Sequence, residues 1–230
     1  MDTQEEDLAG RLREVRRRIE EACLRSGRSP DEVRVVGVTK GVPAERVAAG
    51  RRAGVADLGE NYVQELMRKR EAAPDATWHF IGRLQRNKAR KVLEAADVVH
   101  SLEPGPAADL LGAAAAERGE PVAALVEVDF TGGRVGVSPD EVGPLVERWT
   151  NHAGFRLLGL MTIPPMDEDP RPYFRRLREL RDSLGGLPEL SMGMSADYEE
   201  AVEEGATMVR IGTAIFGPRP APRGSGPRRP

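Results

Sequence analysis

The 230-residue chain predicts an α/β fold: a single closed (β/α)8 barrel of the TIM type, preceded by an extra N-terminal helix. Three observations carry this expectation. Short apolar, β-branched runs alternate strictly with helix-forming stretches, which implies a parallel sheet with helices outside it. The alternation gives eight strands and seven intervening helices over residues 34–217, about 23 residues per unit, just enough for a strand and a crossover helix. The Gly-rich dinucleotide fingerprint that an open doubly wound sheet carries after its first strand is missing.

The elements follow in order. Residues 4–26 place Leu8, Leu12, Val15, Ile19 and Cys23 at helical spacing and stop at Gly27, an amphipathic opening helix. The first strand is the β-branched run 33–39. Further strands are expected at 56–59, 78–82, 97–101, 122–129, 156–163, 189–192 and 208–212. Ala, Arg, Glu and Leu fill the intervening helices at 44–53, 62–72, 87–95, 106–118, 139–149, 172–184 and 196–204. No linker composition interrupts residues 30–217, so residues 1–217 are expected to form one domain. Residues 218–230 mix Pro, Gly and Arg without apolar periodicity, which predicts a disordered, solvated tail.

Composition removes several function classes. With 40% apolar and 31% charged residues the chain is neither a disordered nor a membrane protein. A formal charge of −3 argues against a protein whose main task is gripping nucleic acid. The single cysteine, Cys23, cannot make an internal disulfide or a cysteine-based metal site. His100 and His152 lack ligand-like spacing, so no metal is expected. No stretch approaches the roughly 18 consecutive apolar residues of a membrane span. The charged N-terminus is no signal peptide, and a cytoplasmic location follows as the expectation.

In such a barrel, chemistry sits where strands end and βα loops begin. The first strand ends in Thr39-Lys40, the second in Glu60-Asn61, the seventh leads into Gly193-Met194-Ser195, and the eighth into Gly212-Thr213. The last two loops occupy the recurrent phosphate position of the fold, and their small residues let backbone N–H groups approach an anion. Ser195 reads as the N-cap of the helix that follows. An ordinary cap or tight turn accounts for either loop alone; the pair at that location favours a phosphate site.

Only four of the 34 basic residues are lysines: Lys40, Lys69, Lys88 and Lys91. Arginine cannot replace lysine where a neutral amine must act as nucleophile. Barrel closure sets Lys40 beside Arg210 and the phosphate loops, where burial and a nearby cation favour the neutral amine. Lys40 therefore reads as a Schiff-base lysine, against the plainer reading of a snorkelling strand-exit lysine. An aldehyde that also carries a phosphate is pyridoxal 5′-phosphate. Arg210 could only donate to the ring nitrogen of that cofactor, which weakens carbanion stabilisation and argues against transamination; a structural ion pair is the alternative. Asn61 either hydrogen-bonds the cofactor's phenolic oxygen, orients Lys40, or caps the next helix. His79 reads as a satisfied core histidine. Arg83, Arg86, Lys88, Arg90 and Lys91 read as a solvated basic helix face, open to an anionic ligand or partner.

At these residues the chain resembles the pyridoxal phosphate homeostasis protein family, also called the proline synthase co-transcribed or alanine racemase N-terminal-domain-like group. The matching segments are VGVTK (36–40), LGENYVQE (58–65), WHFIGRLQRNK (78–88), GLMTIP (159–164) and LSMGMSADYEEAVEEGATMVRIGTAIFG (190–217). The resemblance implies a (β/α)8 barrel holding pyridoxal 5′-phosphate on Lys40, with Arg210 at the ring nitrogen and Ser195, Gly212 and Thr213 on the phosphate. Asn61 is implied to line the pocket. Gly41-Val42 stands where relatives often carry a further lysine, which bears on any hand-over between two lysines, and Arg83 replaces a more usual proline. The implied role is cofactor homeostasis without catalytic turnover, in a monomer that delivers the cofactor to apo-enzymes and touches neither nucleic acid nor membrane. The rivals are an amino-acid racemase and a barrel enzyme using Lys40 on a phosphorylated aldehyde or ketone. Racemisation needs a second base on the opposite cofactor face.

Overall fold

The computed structural model describes residues 3–218. The eight strands are β1 (Arg34–Val38), β2 (Asp57–Glu60), β3 (Thr77–Phe80), β4 (Val98–Leu102), β5 (Val122–Glu127), β6 (Phe155–Met161), β7 (Glu189–Ser191) and β8 (Met208–Ile211). They form a closed parallel barrel in sequence order. Closure is direct: β8 pairs β1, with Arg210 opposite Val36 and Ile211 opposite Gly37. All eight expected strands are present, with ends within two residues of those read from the sequence.

The helices are α1 (Thr3–Ser26), α2 (Ala44–Arg52), α3 (Val63–Ala72), α4 (Ala89–Ala95), α5 (Pro106–Arg118), α6 (Pro139–Thr150), α7 (Arg171–Leu184), α8 (Tyr198–Glu203) and a final turn α9 (Thr213–Phe216). Their ends carry the signals that made them legible. Pro106 opens α5 at a position needing no N–H, and Gly119 closes it in the left-handed region at φ 72°. The extra helix α1 buries Leu8, Leu12, Val15, Ile19 and Cys23, the stripe its spacing predicts. The residues of the expected tail from 219 onward lie outside the described residues.

Two packing features fix the mouth of the barrel. Phe216, at the end of α9, lays its ring where Gly37 and Gly50 lack side chains; a Cβ on Gly37 would stand 3.2 Å from that ring and 2.6 Å from Val55. Arg46 of α2 donates to the Phe216 carbonyl at 2.9 Å. The loop after β8 is thereby clamped to β1 and α2.

The second feature is ionic. Lys69 on α3 is fully buried, and its Nζ donates to Glu60 Oε2 at 2.7 Å, to Glu65 Oε2 at 2.6 Å and to the Thr39 carbonyl at 2.7 Å. Thr39 Oγ1 donates to the same Glu60 carboxylate at 3.0 Å. The other Glu60 oxygen accepts from the amides of Asn61 at 2.7 Å and Tyr62 at 3.3 Å. Every polar atom of the pair thus has a partner, the condition under which a buried ion pair is tolerable. The ends of β1 and β2 and the helix α3 are tied at one point. Lys69→Met should lower unfolding free energy by about 3–5 kcal/mol, because Glu60 is left as an uncompensated buried charge. Urea denaturation checks this, and a loss below about 1 kcal/mol would give the pair only the worth of a surface bridge.

Candidate functional site

The strand ends converge on a cavity of about 300 Å³ at the C-terminal mouth of the barrel. Lys40, Asn61, Ser195, Arg210, Gly212 and Thr213 all line it, together with Val38, Val42, Ile81, Ile163, Met194 and Phe216. All six residues singled out in the sequence are therefore brought to one place, from five different βα junctions or strands.

Lys40 follows Thr39, and the two neighbours look in opposite directions. Thr39 turns to the buried pair beneath α3, whereas the half-buried Lys40 lines the cavity. Among the described residues the Lys40 amine has no hydrogen-bond or ion-pair partner. The nearest carboxylate on the neighbouring strand, Glu60, is already taken by Lys69.

Arg210 is 5% exposed. Its guanidinium donates to Ser191 Oγ at 2.7 Å and to the Thr162 carbonyl at 3.0 Å. Burial pulls its pKa down to about 10, while the charges of Glu127 and Asp197 pull the other way, so it remains a cation at neutral pH. Behind it lies a chain of buried groups that sequence reasoning missed. Ser191 Oγ meets His100 Nδ1 at 2.9 Å, His100 Nε2 meets His79 Nδ1 at 2.8 Å, and His79 Nε2 meets Asp57 Oδ1 at 2.9 Å. Strands β4 and β7 are not neighbours, so the His100–Ser191 bond crosses the barrel interior. Burial, followed by the charges of His79 and Arg210, pushes His100 well below the ordinary imidazole range, so it is neutral. A guanidinium has no acceptor and a carboxylate no donor. One run of donors from Arg210 through Ser191, His100 and His79 to Asp57 satisfies every bond of the chain, and Arg210 is held in one orientation.

The loops after β7 and β8 are joined: the Gly212 amide donates to Ser195 Oγ at 3.3 Å. The amides of Ser195, Ala196 and Thr213 make no donor bond within the described residues, which leaves three N–H groups at the cavity edge. Gly193 makes the first loop possible. Its φ is +89°, and a Cβ there would stand 2.5 Å from that of Ala201. The expectation that Ser195 caps the next helix is corrected. The Met194 amide donates to Asp197 Oδ1 at 2.6 Å, a side-chain turn that delays the start of α8 to Tyr198, so the Ser195 hydroxyl is left to the neighbouring loop.

Asn61 does not cap α3, whose N-cap Tyr62 has no side-chain cap bond, and it lines the cavity instead. His79 is a fully buried histidine with both nitrogens partnered, as expected. Arg83, Arg86, Lys88, Arg90 and Lys91 do not share one helix face: they are spread over a loop, a single 3-10 turn at Arg86–Lys88 and α4. Arg83 pairs with Glu103 at 3.4 Å and Arg90 with Glu117 at 3.6 Å. Sequence reasoning also missed Glu60 and Lys69; the scarcity of lysine was the signal that could have flagged the latter. Among the described residues no group of three or more His, Cys, Asp and Glu could hold a metal ion.

The donor set matches an anionic aldehyde. It offers an unpartnered primary amine, a hydroxyl with free amides at two joined loops, and a fixed guanidinium, with apolar side chains between them. The described helices include none long and apolar enough to cross a membrane. The family model described as "Alanine racemase, N-terminal domain" matches residues 11–220. A pyridoxal phosphate homeostasis protein of Aquifex aeolicus is 44% identical over 221 residues, covering 91% of this chain and 97% of that one. PipY of Synechococcus elongatus PCC7942, solved with PLP bound, superposes with a TM-score of 0.79 at 34% identity, covering 91% of this chain and all of that one. Alanine racemase from E. faecalis shares the fold, with a TM-score of 0.68 at 18% identity, and this chain spans 59% of its length. The chain therefore belongs to the alanine racemase N-terminal domain family and, within it, to the pyridoxal phosphate homeostasis proteins.

Proposed function

We propose that this chain holds pyridoxal 5′-phosphate on Lys40 and serves cofactor homeostasis, storing the cofactor and releasing it to apo-enzymes, without catalytic turnover of its own. One observation carries the reading: the unpartnered Lys40 amine shares a single cavity with Arg210 and with the joined loops of Ser195, Gly212 and Thr213. When bound, the cofactor supplies an aldehyde that condenses reversibly with a primary amine and a pyridine ring that can accept electrons.

The chain's own residues determine the rest. Lys40 supplies the amine, which has no hydrogen-bond or ion-pair partner among the described residues. Ser195 Oγ and the free amides at Ser195, Ala196 and Thr213 receive the phosphate at the edge of the cavity, and Gly212, whose amide holds the Ser195 hydroxyl, joins the two loops there. Arg210, locked by Ser191 and Thr162, presents N–H to the ring nitrogen and carries no acidic proton to share at neutral pH. An unprotonated ring weakens the electron sink that transamination requires. Asn61 lines the wall next to Lys40 and is the polar group placed to orient the cofactor there. Residues 1–217 serve as one cofactor-binding domain, acting as a cytoplasmic monomer whose cavity is complete within a single chain.

The lining favours this reading over a racemase: racemisation needs a base on each face of the cofactor, and among the described residues no His, Tyr, Cys, Asp or Glu lines this cavity beside Lys40. A colourless protein as purified would favour the third reading, a lysine enzyme acting on a phosphorylated aldehyde or ketone.

Lys40→Ala should abolish a visible absorbance band that borohydride bleaches in the wild type. An unchanged band would place the aldehyde on another group. Arg210→Glu should shift that band and introduce trace transaminase activity, because an acidic partner can keep the ring nitrogen protonated. An identical spectrum would remove Arg210 from the ring. Incubation of the wild type with L-alanine should yield no D-alanine above the background of a Lys40→Ala control; clear turnover would replace storage by catalysis.

A further inference from the structure

A cavity of about 570 Å³ lies at the end of the barrel opposite the mouth, where β1, β7 and β8 begin. Three guanidiniums from separate elements line it: Arg28 just after α1, Arg34 at the first position of β1, and Arg178 on α7. Each is anchored along one edge. Arg28 Nη1 donates to the Val202 and Ala206 carbonyls at 2.7 and 2.9 Å, and its Nε to Glu32 at 3.2 Å. Arg34 Nη2 donates to Glu189 at 2.8 Å. Arg178 Nη1 donates to the Glu204 carbonyl at 3.0 Å and to its carboxylate at 3.1 Å. Gly205 makes room for this last side chain: its φ is +104°, and a Cβ there would stand 3.1 Å from Arg178 Cδ.

The other edges are unspent. Nη2 of Arg28, Nε and Nη1 of Arg34, and Nε and Nη2 of Arg178 make no hydrogen bond among the described residues. A guanidinium has donors and no acceptor, so these groups can only meet an acceptor brought from outside. The carboxylates of the wall already have two partners each. Glu32 also accepts from the Ser29 amide at 3.1 Å, and Glu189 from the Thr207 hydroxyl at 2.6 Å. Glu203 takes Arg25 at 2.6 Å and Arg171 at 2.7 Å. Glu204 is likewise shared, between Arg175 and Arg178, so the arginines are not cancelled one for one. No aromatic side chain lines the cavity, which leaves charge-assisted hydrogen bonds to an oxyanion as the means of recognition. Free forks on three separate guanidiniums exceed what one phosphoryl group can accept and suit two linked ones.

We infer that this cavity binds a diphosphate group, free as pyrophosphate or carried by a nucleoside diphosphate, on the unspent edges of Arg28, Arg34 and Arg178. Because each arginine is anchored beforehand, little side-chain freedom is lost on binding. The site shares no lining residue with the cavity of Lys40, and it does not depend on the cofactor reading.

The test titrates the full-length chain in metal-free buffer with pyrophosphate, ADP and orthophosphate, followed by calorimetry and by amide NMR. It is run on the protein as purified and after saturation with pyridoxal 5′-phosphate and borohydride reduction. Pyrophosphate should bind saturably and equally in both forms, with orthophosphate at least about tenfold weaker. Comparable affinity for ADP supports a nucleoside diphosphate as the source, and no ADP binding supports the free anion. Arg34→Gln and Arg178→Gln should each weaken pyrophosphate about tenfold or more, the cost of one charged donor. In the wild type, which needs no substitution to fold, amide shifts should cluster at Arg34, Gly205 and Thr207 and spare Ser195 and Thr213. No saturable response up to about 10 mM, orthophosphate binding as tightly as pyrophosphate, or unchanged affinity in both variants would each overturn the inference. Shifts centred on Ser195 and Thr213, or binding lost when the mouth is filled, would overturn it too, by moving the anion to the other end of the barrel.

Discussion

The barrel mouth is held together where Lys69 takes the Glu60 carboxylate. Glu60 ends β2, the strand paired to the one that leads into Lys40. Lys69 reaches up from α3, takes Glu60, Glu65 and the Thr39 carbonyl, and is itself fully buried. The end of β1 is thereby fixed through Thr39, and the next residue, Lys40, lines the cavity on the other side without a partner among the described residues. The cost is a desolvated pair, offset by hydrogen bonds to all of its polar atoms.

A similar division of labour holds at Arg210. Asp57, His79, His100 and Ser191 do not themselves line the cavity, yet their chain fixes Arg210, which does. A guanidinium so anchored is a rigid donor with nothing to accept. This is the electrostatic opposite of the acidic partner that an electron sink requires. A free amine, an anion cradle and a rigid cation together suit the capture of an anionic aldehyde.

Much of this was legible in the sequence, for physical reasons that differ by residue. The β/α alternation is strict because each parallel strand needs a crossover helix, so the barrel and its strand ends could be read with small error. Lys40, Arg210, Ser195, Gly212 and Thr213 were legible because closure dictates that the first and last strands meet. Asn61 was found, but its choice between cap and cavity depends on the Glu60 oxygens that occupy the neighbouring amides. The capping role of Ser195 was misread because a side-chain turn at Asp197 competes with the helix start. The roles of Lys69, Glu60, His100 and Ser191 depend on contacts between different elements, such as the 91-residue separation of His100 and Ser191. Periodicity carries no information about such pairs.

The most direct measurement is peptide mapping by mass spectrometry after borohydride reduction of the wild-type protein as purified. The account predicts a reduced pyridoxyl-phosphate mass on the peptide containing Lys40, with the peptides of Lys69, Lys88 and Lys91 unmodified. A modification on one of those three lysines, or none on Lys40, would contradict it.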